Sequence, residues 1–94
     1  MVVGVITVEL QVPGSQSLKD KRQVIRALVA LLRREFNVAV AEVDHLESWQ
    51  RAMLGLACVS ADRGHAQQQA QNVAEYIEDH AVDYYVLDVD IELL

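Results

Sequence analysis

Two hydrophobic periodicities alternate along the chain and predict six secondary-structure elements. Residues 2–12 place apolar side chains at every second position, which is typical of a strand with one buried face. Residues 17–37 repeat apolar side chains every three to four positions, which predicts a long amphipathic helix. The same two periods recur later and predict strands at 38–43 and 50–61, a helix from about 62–65 to 79–80, and a strand at 82–93.

The order strand, helix, strand, strand, helix, strand predicts a ferredoxin-like fold. Right-handed crossovers around a central hairpin give a βαββαβ two-layer α+β sandwich, with an antiparallel sheet of order 4-1-3-2 and both helices on one face. Another two-layer α+β sandwich is the alternative. No linker or repeat divides the chain, so residues 1–94 are expected to form a single domain.

The sheet face away from the helices is predicted to be unusually apolar for a surface in contact with water. In the last strand, alternation places these residues toward the core: Tyr85, Leu87, Val89, Ile91 and Leu93. Tyr84 and Val86 then point outward, together with Val3, Val5 and Thr7 of the first strand. A one-sided sheet normally alternates apolar and polar residues. We therefore expect a homo-oligomer, most simply a dimer, that covers this face.

The first helix carries most of the positive charge of an acidic protein. Ser17 and Asp20 resemble a capping box at its start, and Asn37 suits its C-terminal end. The helix holds six of the eight basic residues, and its polar side forms a stripe of Lys19, Arg22, Arg26 and Arg33, with Arg34 beside it. The net charge is −6, which disfavours general affinity for nucleic acids. After Phe36 the chain has eleven acids and two basic residues, so charge is strongly segregated along the sequence.

Part of this stripe has an internal explanation in the predicted fold. The two helices would be antiparallel, so the start of the first would lie beside the acidic end of the second. We expect Lys21 or Arg22 to approach Glu78 or Asp79. The residues in the second half of the stripe then need a partner outside the chain, either RNA or an acidic protein surface: Arg26, Arg33 and Arg34.

The loop before the first helix is a candidate anion site. Ser15, Ser17, Lys19 and Lys21 bring hydroxyl groups and positive charge to a helix N-terminus, whose free N–H groups favour anions. Ordinary turn and capping roles for the two serines are the alternative.

Other chemistry is weakly represented. Asp44, His45 and Glu47 are too few to predict a metal site, Trp49 is expected to cover the edge of the core, and Cys58 is expected to be a small buried side chain. No catalytic triad, cofactor motif or membrane-spanning run is present, which favours a cytoplasmic, non-enzymatic protein. The central strands lack the aromatic residues that RNA-binding domains of this topology use, and the first loop lacks the arginine of acylphosphatases.

Three segments together resemble the YlxP-like bacterial family, known as domain of unknown function 503. They are SLKDKRQVIRALVALLRREFNVAVAEV at 17–43, SWQRAMLGLACVS at 48–60 and the helix ending in YIEDH at 76–80. The resemblance implies a ferredoxin-like fold and no defined reaction. It also implies a link to translation, because genes of the family often lie near those of translation initiation and ribosome-maturation factors.

These observations lead to three hypotheses of function. The first is a non-enzymatic accessory protein that contacts RNA or the ribosome through the basic side of the first helix. The second is a structural or protein-interaction homodimer without a nucleic-acid role. The third is a module that binds a small anion or phosphate at the loop before the first helix.

Overall fold

The computed structural model describes all 94 residues and has the predicted order of elements. The elements are β1 (Val2–Gln11), α1 (Leu18–Glu35), β2 (Ala39–Asp44), β3 (Arg51–Ser60), α2 (Arg63–Asp79) and β4 (Tyr85–Leu93). Their bounds differ from the predicted ones by no more than three residues. Neither helix is long and apolar enough to cross a membrane.

The four strands form one antiparallel sheet of order β2-β3-β1-β4, which confirms the predicted ferredoxin-like topology. β1 is central and pairs with β3 from Val2 opposite Ser60 to Gln11 opposite Arg51. β2 and β4 are therefore the two edges of the sheet. The inward-facing residues of β1 and β3 pack against both helices, and burial of this shared core is the main driving force for folding. The largest fully buried apolar side chains are Ile6, Val8, Leu10, Val12, Leu32, Leu54, Val73 and Ile77.

The predicted orientation of β4 is wrong in its first half. Tyr85 and Leu87 are 64% and 43% exposed, whereas Tyr84 is 5% exposed and belongs to the core. The reason is a β-bulge, because Glu9 pairs with Asp88 while Leu10 pairs with Val86. The extra residue, Leu87, reverses the parity of the strand, so that only the residues after the bulge face inward as predicted.

The hydroxyl group of Tyr84, the residue before β4, links the start of that strand to α2. It donates a hydrogen bond to the backbone carbonyl of Ile77 near the end of the helix. Burial raises the pKa of Tyr84 to about 12, and the neighbouring Tyr76 adds to the increase. The folded state therefore keeps this phenol protonated over a pH range in which the unfolded chain releases the proton.

We expect Tyr84→Phe to lower the free energy of unfolding by about 1–2 kcal/mol at neutral pH, because a buried carbonyl group loses its donor. The pKa of Tyr84 is about 10 in the unfolded chain and about 12 in the folded protein, so its contribution is complete below pH 10 and decreases toward pH 12. Urea titrations should show the difference between wild type and variant narrowing over this range. Tyr85→Phe, at an exposed position, is the matched control and should change little.

The start of α1 is capped as predicted, but its end is not. The Ser17 side chain accepts a hydrogen bond from the Asp20 N–H, and the Asp20 carboxylate accepts one from the Gln16 N–H, both at 3.0 Å. The helix ends at Glu35, and Phe36 follows in an extended conformation. Asn37 does not adopt the left-handed conformation, because Phe36 turns directly toward α2 and its ring packs edge-on against Tyr76 at 5.3 Å.

Candidate functional site

A groove runs between α1 and the free edge strand β2, and three arginines of the predicted stripe line it. Arg22, Arg26 and Arg33 stand along it, and its volume is about 540 Å³. The remaining lining residues are Ile25, Val29 and Ala30 of α1 and Val40, Ala41 and Glu42 of β2. At 1.5 Å of rise per residue, Arg22 and Arg26 are about 6 Å apart along the helix axis, and Arg33 lies about 10 Å further on. We call this surface the arginine groove.

None of the three groove arginines is neutralised by an acid of the chain. All three side chains are exposed, and no carboxylate lies within 4.0 Å of their nitrogens, although the chain contains 14 acids. Arg33 alone makes an internal hydrogen bond, from Nη2 to the Val40 carbonyl at 3.0 Å. This bond satisfies a carbonyl group of the edge strand and fixes the guanidinium beside the groove. The groove therefore presents positive charge that is free to meet an anion.

The other two residues of the predicted stripe lie outside the groove. Lys19 and Arg34 are exposed but do not line it. The Arg34 guanidinium is 3.4 Å from the carboxylate of its neighbour Glu35, a contact that is largely open to solvent. The structure thus brings together three of the five predicted basic residues.

Lys21 is completely buried behind one end of the groove, between the lining residues Arg22 and Glu42. Its Nζ donates hydrogen bonds to the carbonyl groups of His45, at 2.8 Å, and Arg51, at 3.1 Å. Glu42 Oε2 lies 2.9 Å from the same nitrogen and forms an ion pair with it. Lys21 therefore fastens the first turns of α1 to β2 and to both ends of the β2–β3 connection.

The predicted contact of Lys21 or Arg22 with Glu78 or Asp79 is wrong. No ion pair joins the two helices. The helices are staggered. Their offset is visible in a groove that residues between 80 and 84, which follow α2, line together with residues between 24 and 31 in the middle of α1. The first turns of α1 consequently extend beyond the acidic end of α2, and Lys21 turns to Glu42 instead.

The predicted anion loop is wrong for Ser15 and Lys21. Ser15 is buried, and its hydroxyl group donates to the Ser17 carbonyl at 2.9 Å. Ser17 is occupied by its capping bond, and Lys21 is buried in the contacts given above. The pocket beside the loop is lined by the acids Asp20 and Asp83 and by no basic residue. The loop caps α1, and only Lys19 of the predicted set remains available to an anion.

The outer face of the sheet is apolar over the middle of β1, β2 and β3, polar toward Glu9 and Arg51, and acidic on β4. Residues that pair across the sheet form rows of small or apolar side chains. One such row runs from Ala39 on β2 through Ala57 on β3 and Val5 on β1, and it ends at Glu92 on β4. The other two acids of β4, Asp88 and Asp90, alternate along the strand with Glu92 and lie on the same face. Tyr84 and Val86, which were predicted to face outward, lie on the other side of the sheet.

The β2–β3 connection holds Trp49 in the open, so its predicted role as a cover for the core is wrong. Trp49 is 57% exposed and Leu46 is 52% exposed. His45, in the same connection, has a φ of 59°, a left-handed conformation that non-glycine residues seldom adopt. Its ring lies 3.3 Å from the Glu9 carboxylate, which also accepts a hydrogen bond from Arg51 at 3.0 Å. Asp44, His45 and Glu47 do not form a metal-binding cluster.

Comparison with known proteins places the chain among proteins without a defined activity. The profile of the family described as "Protein of unknown function (DUF503)" matches residues 3–91. The chain belongs to the DUF503 family. It is 30% identical over 77 residues to the uncharacterized protein YlxP of Bacillus subtilis (strain 168), a match that covers 82% of this chain and 84% of YlxP. These matches confirm the predicted family.

Solved structures similar to this DUF503 chain support its fold alone. The designed protein Foldit4 is 14% identical, with a TM-score of 0.53, and the match covers 98% of this chain and 96% of that one. The designed protein LFR1 1, described as having a ferredoxin fold, is 11% identical with a TM-score of 0.55. That match covers 100% of this chain and 84% of the designed one. Neither likeness bears on what DUF503 proteins bind.

Proposed function

We propose that the protein is a non-enzymatic accessory protein that binds RNA, free or within the ribosome, through the arginine groove. The observation that carries the proposal is the row of Arg22, Arg26 and Arg33 without any acidic partner in a chain of net charge −6. Arginine guanidinium groups match the geometry of phosphate oxygens and can bind them through two hydrogen bonds. A backbone that carries a phosphate at every nucleotide fits a row of such groups.

The acids of β4 lie far from this site, and Glu42, the one acid of the groove wall, is paired with Lys21. Asp88, Asp90 and Glu92 are on β4, the edge of the sheet opposite β2. Four strands spaced about 4.8 Å apart put roughly 14 Å between the two edges. This distance exceeds the Debye length of about 8 Å at physiological salt, so repulsion from β4 is largely screened at the groove. The negative net charge is thus compatible with local binding of phosphate. The proposal also places the protein in the cytoplasm, where it would meet RNA.

The proposal is tested by the salt dependence of RNA binding. Fluorescence anisotropy of a labelled oligouridylate should show affinity that falls as salt rises. Three phosphate contacts with a single strand predict a slope of about −2 in a plot of log K against log salt. A Kd that is insensitive to salt, or no binding at low salt, would contradict the proposal.

A second proposal concerns association of two copies through the apolar part of the outer sheet face. A shallow depression there is lined by Val5, Ala39, Ala41, Gly55 and Ala57, and small side chains leave the surface flat enough for another sheet to pack on it. The acids on β4 confine such packing to the other three strands. This face meets the arginine groove at Ala41, which lines both. The three groove arginines belong to α1, on the other side of the sheet, so a homodimer would still present both grooves to RNA.

We expect sedimentation equilibrium to give a dimer for wild type at micromolar concentration and a monomer for Ala57→Arg. The arginine would place a charge at the centre of the packed face, whereas in a monomer it extends into water. Gln71→Arg, on the exposed side of α2, adds the same charge elsewhere and should remain a dimer. A wild-type protein that sediments as a monomer would rule out this association.

A further inference from the structure

Trp49 is exposed in a way that the fold does not require. It is the only tryptophan of the chain, it is 57% exposed, and it is not among the side chains packed on the core. A large aromatic side chain left in water gives up much of the stabilisation that burial would provide. An exposed tryptophan is therefore a candidate contact residue, and what it contacts depends on its surroundings.

The segment around Trp49 is held firmly by hydrogen bonds. The Ser48 N–H donates to the His45 carbonyl at 3.0 Å and closes a turn. The Ser48 hydroxyl group accepts from the N–H groups of Gln50 and Arg51, at 3.4 and 3.0 Å. The Gln50 side chain in turn donates to the Ser15 carbonyl at 3.0 Å. Trp49 is thus presented by an ordered backbone, which lowers the entropic cost of a contact made through its ring.

The same segment is attached to the end of the arginine groove. Lys21 donates to the His45 and Arg51 carbonyl groups, on either side of Trp49, and its ammonium group is paired with Glu42 of the groove wall. Arg22 follows Lys21 directly in α1. The end of the groove at Arg22 is therefore the end nearest to the segment that carries Trp49.

We propose that an unpaired RNA base stacks on Trp49 while the phosphates of the same strand follow the arginine groove. This inference rests on the proposed function and makes it specific to single-stranded RNA. Sites for single strands commonly combine a basic track for the backbone with an aromatic ring for a base. A duplex keeps its bases stacked on one another and cannot offer one to the indole ring.

The test uses the fact that Trp49 is the only tryptophan. Stacking of a base should quench the intrinsic fluorescence of the wild-type protein when a single-stranded oligouridylate of about 12 nucleotides is added, a length within the usual range for such sites. RNA duplex of the same length should not quench it. In anisotropy titrations with labelled oligouridylate, Trp49→Leu should weaken binding about tenfold or more, and Trp49→Phe should weaken it less. Leu46→Ala, which removes apolar surface from the same turn without removing a ring, is the matched control and should bind as wild type does.

The outcomes separate this inference from the proposed function. Salt-dependent binding without quenching, and with equal affinity for Trp49→Leu, would overturn the stacking contact and leave the groove as the RNA site. Equal losses for Trp49→Leu and Leu46→Ala would also overturn it, because they indicate a general apolar contact of the kind made with proteins. Absence of binding to either RNA would overturn both.

Discussion

Replacing Lys21 with methionine is expected to lower the free energy of unfolding by about 3 kcal/mol, the largest stability effect we predict for a single side chain. For a domain of this size, such a loss corresponds to a decrease in Tm of about 15 °C. Since domains of about 100 residues are stable by roughly 5–15 kcal/mol, the variant should remain folded at room temperature while being clearly weakened.

The expected loss of stability follows from the groups that lose their partner when Lys21 is replaced. Methionine has a similar length and is apolar, so it can fill the same space. It cannot donate to the carbonyl groups of His45 and Arg51 or neutralise Glu42, whose side chain is only 16% exposed. Removing one member of a buried ion pair is costly because the remaining charge stays in an environment with little water. Partial access of water to Glu42 keeps our figure at the lower end of the usual range.

Chemical denaturation of three variants checks this prediction. Lys19→Met makes the same substitution two residues earlier at an exposed position and should change stability by less than about 0.5 kcal/mol. Lys21→Met/Glu42→Gln should be more stable than Lys21→Met alone, since the unpaired charge is removed. If Lys21→Met lost less than about 1 kcal/mol, or if the second substitution restored nothing, the ion pair would not be the contact that holds α1 to the β2–β3 connection.

The sequence contains a signal for the burial of Lys21 that its positive charge obscures. Lys21 precedes Ile25, Leu28 and Leu32 at helical spacing, so it occupies the buried stripe of the helix rather than its polar side. Glu42 has the same parity as the buried Val40 in the following strand. Opposite charges at two inward-facing positions predict a buried pair. The order of elements indicates antiparallel helices without revealing their stagger, and it therefore predicts the acids at the end of α2 as the partners of Lys21 instead.

The features that sequence predicted correctly are those that repeat over many residues. The alternation in β1 and the helical stripe of α1 each extend over ten or more residues, so a single exception does not obscure them. The bulge at Leu87 and the left-handed conformation at His45 each depend on one residue and its tertiary surroundings. The exposure of Trp49 also depends on tertiary surroundings, because hydrogen bonds from α1, from the loop before it and from within the β2–β3 connection hold the backbone around this residue. The candidate site was thus found in part, as three arginines, while its end at Lys21 and Trp49 required the structure.

Reversing two charges in the arginine groove is expected to weaken RNA binding about 100-fold. The double variant Arg22→Glu/Arg26→Glu is the suitable one, because neither side chain makes an internal hydrogen bond or ion pair, whereas Arg33 donates to Val40. If each guanidinium contact with a phosphate contributes about 1.4 kcal/mol, its loss weakens binding about tenfold, and the two losses multiply. The slope of log K against log salt should also become less steep by about 1.4, since two phosphate contacts are lost.

A control of equal charge separates the groove from the charge of the protein as a whole. Arg34→Glu/Arg63→Glu changes the net charge by the same amount, and both residues are exposed and outside the groove. If the groove is the site, anisotropy titrations should give this control a loss of affinity at least tenfold smaller than that of the groove variant, because neither residue contacts the RNA and only Arg34 lies within a Debye length of it. Equal weakening of both double variants would mean that RNA responds only to net charge. Unchanged binding in the groove variant would place the RNA elsewhere on the protein, and the three unpaired arginines would then have to serve a different anionic partner.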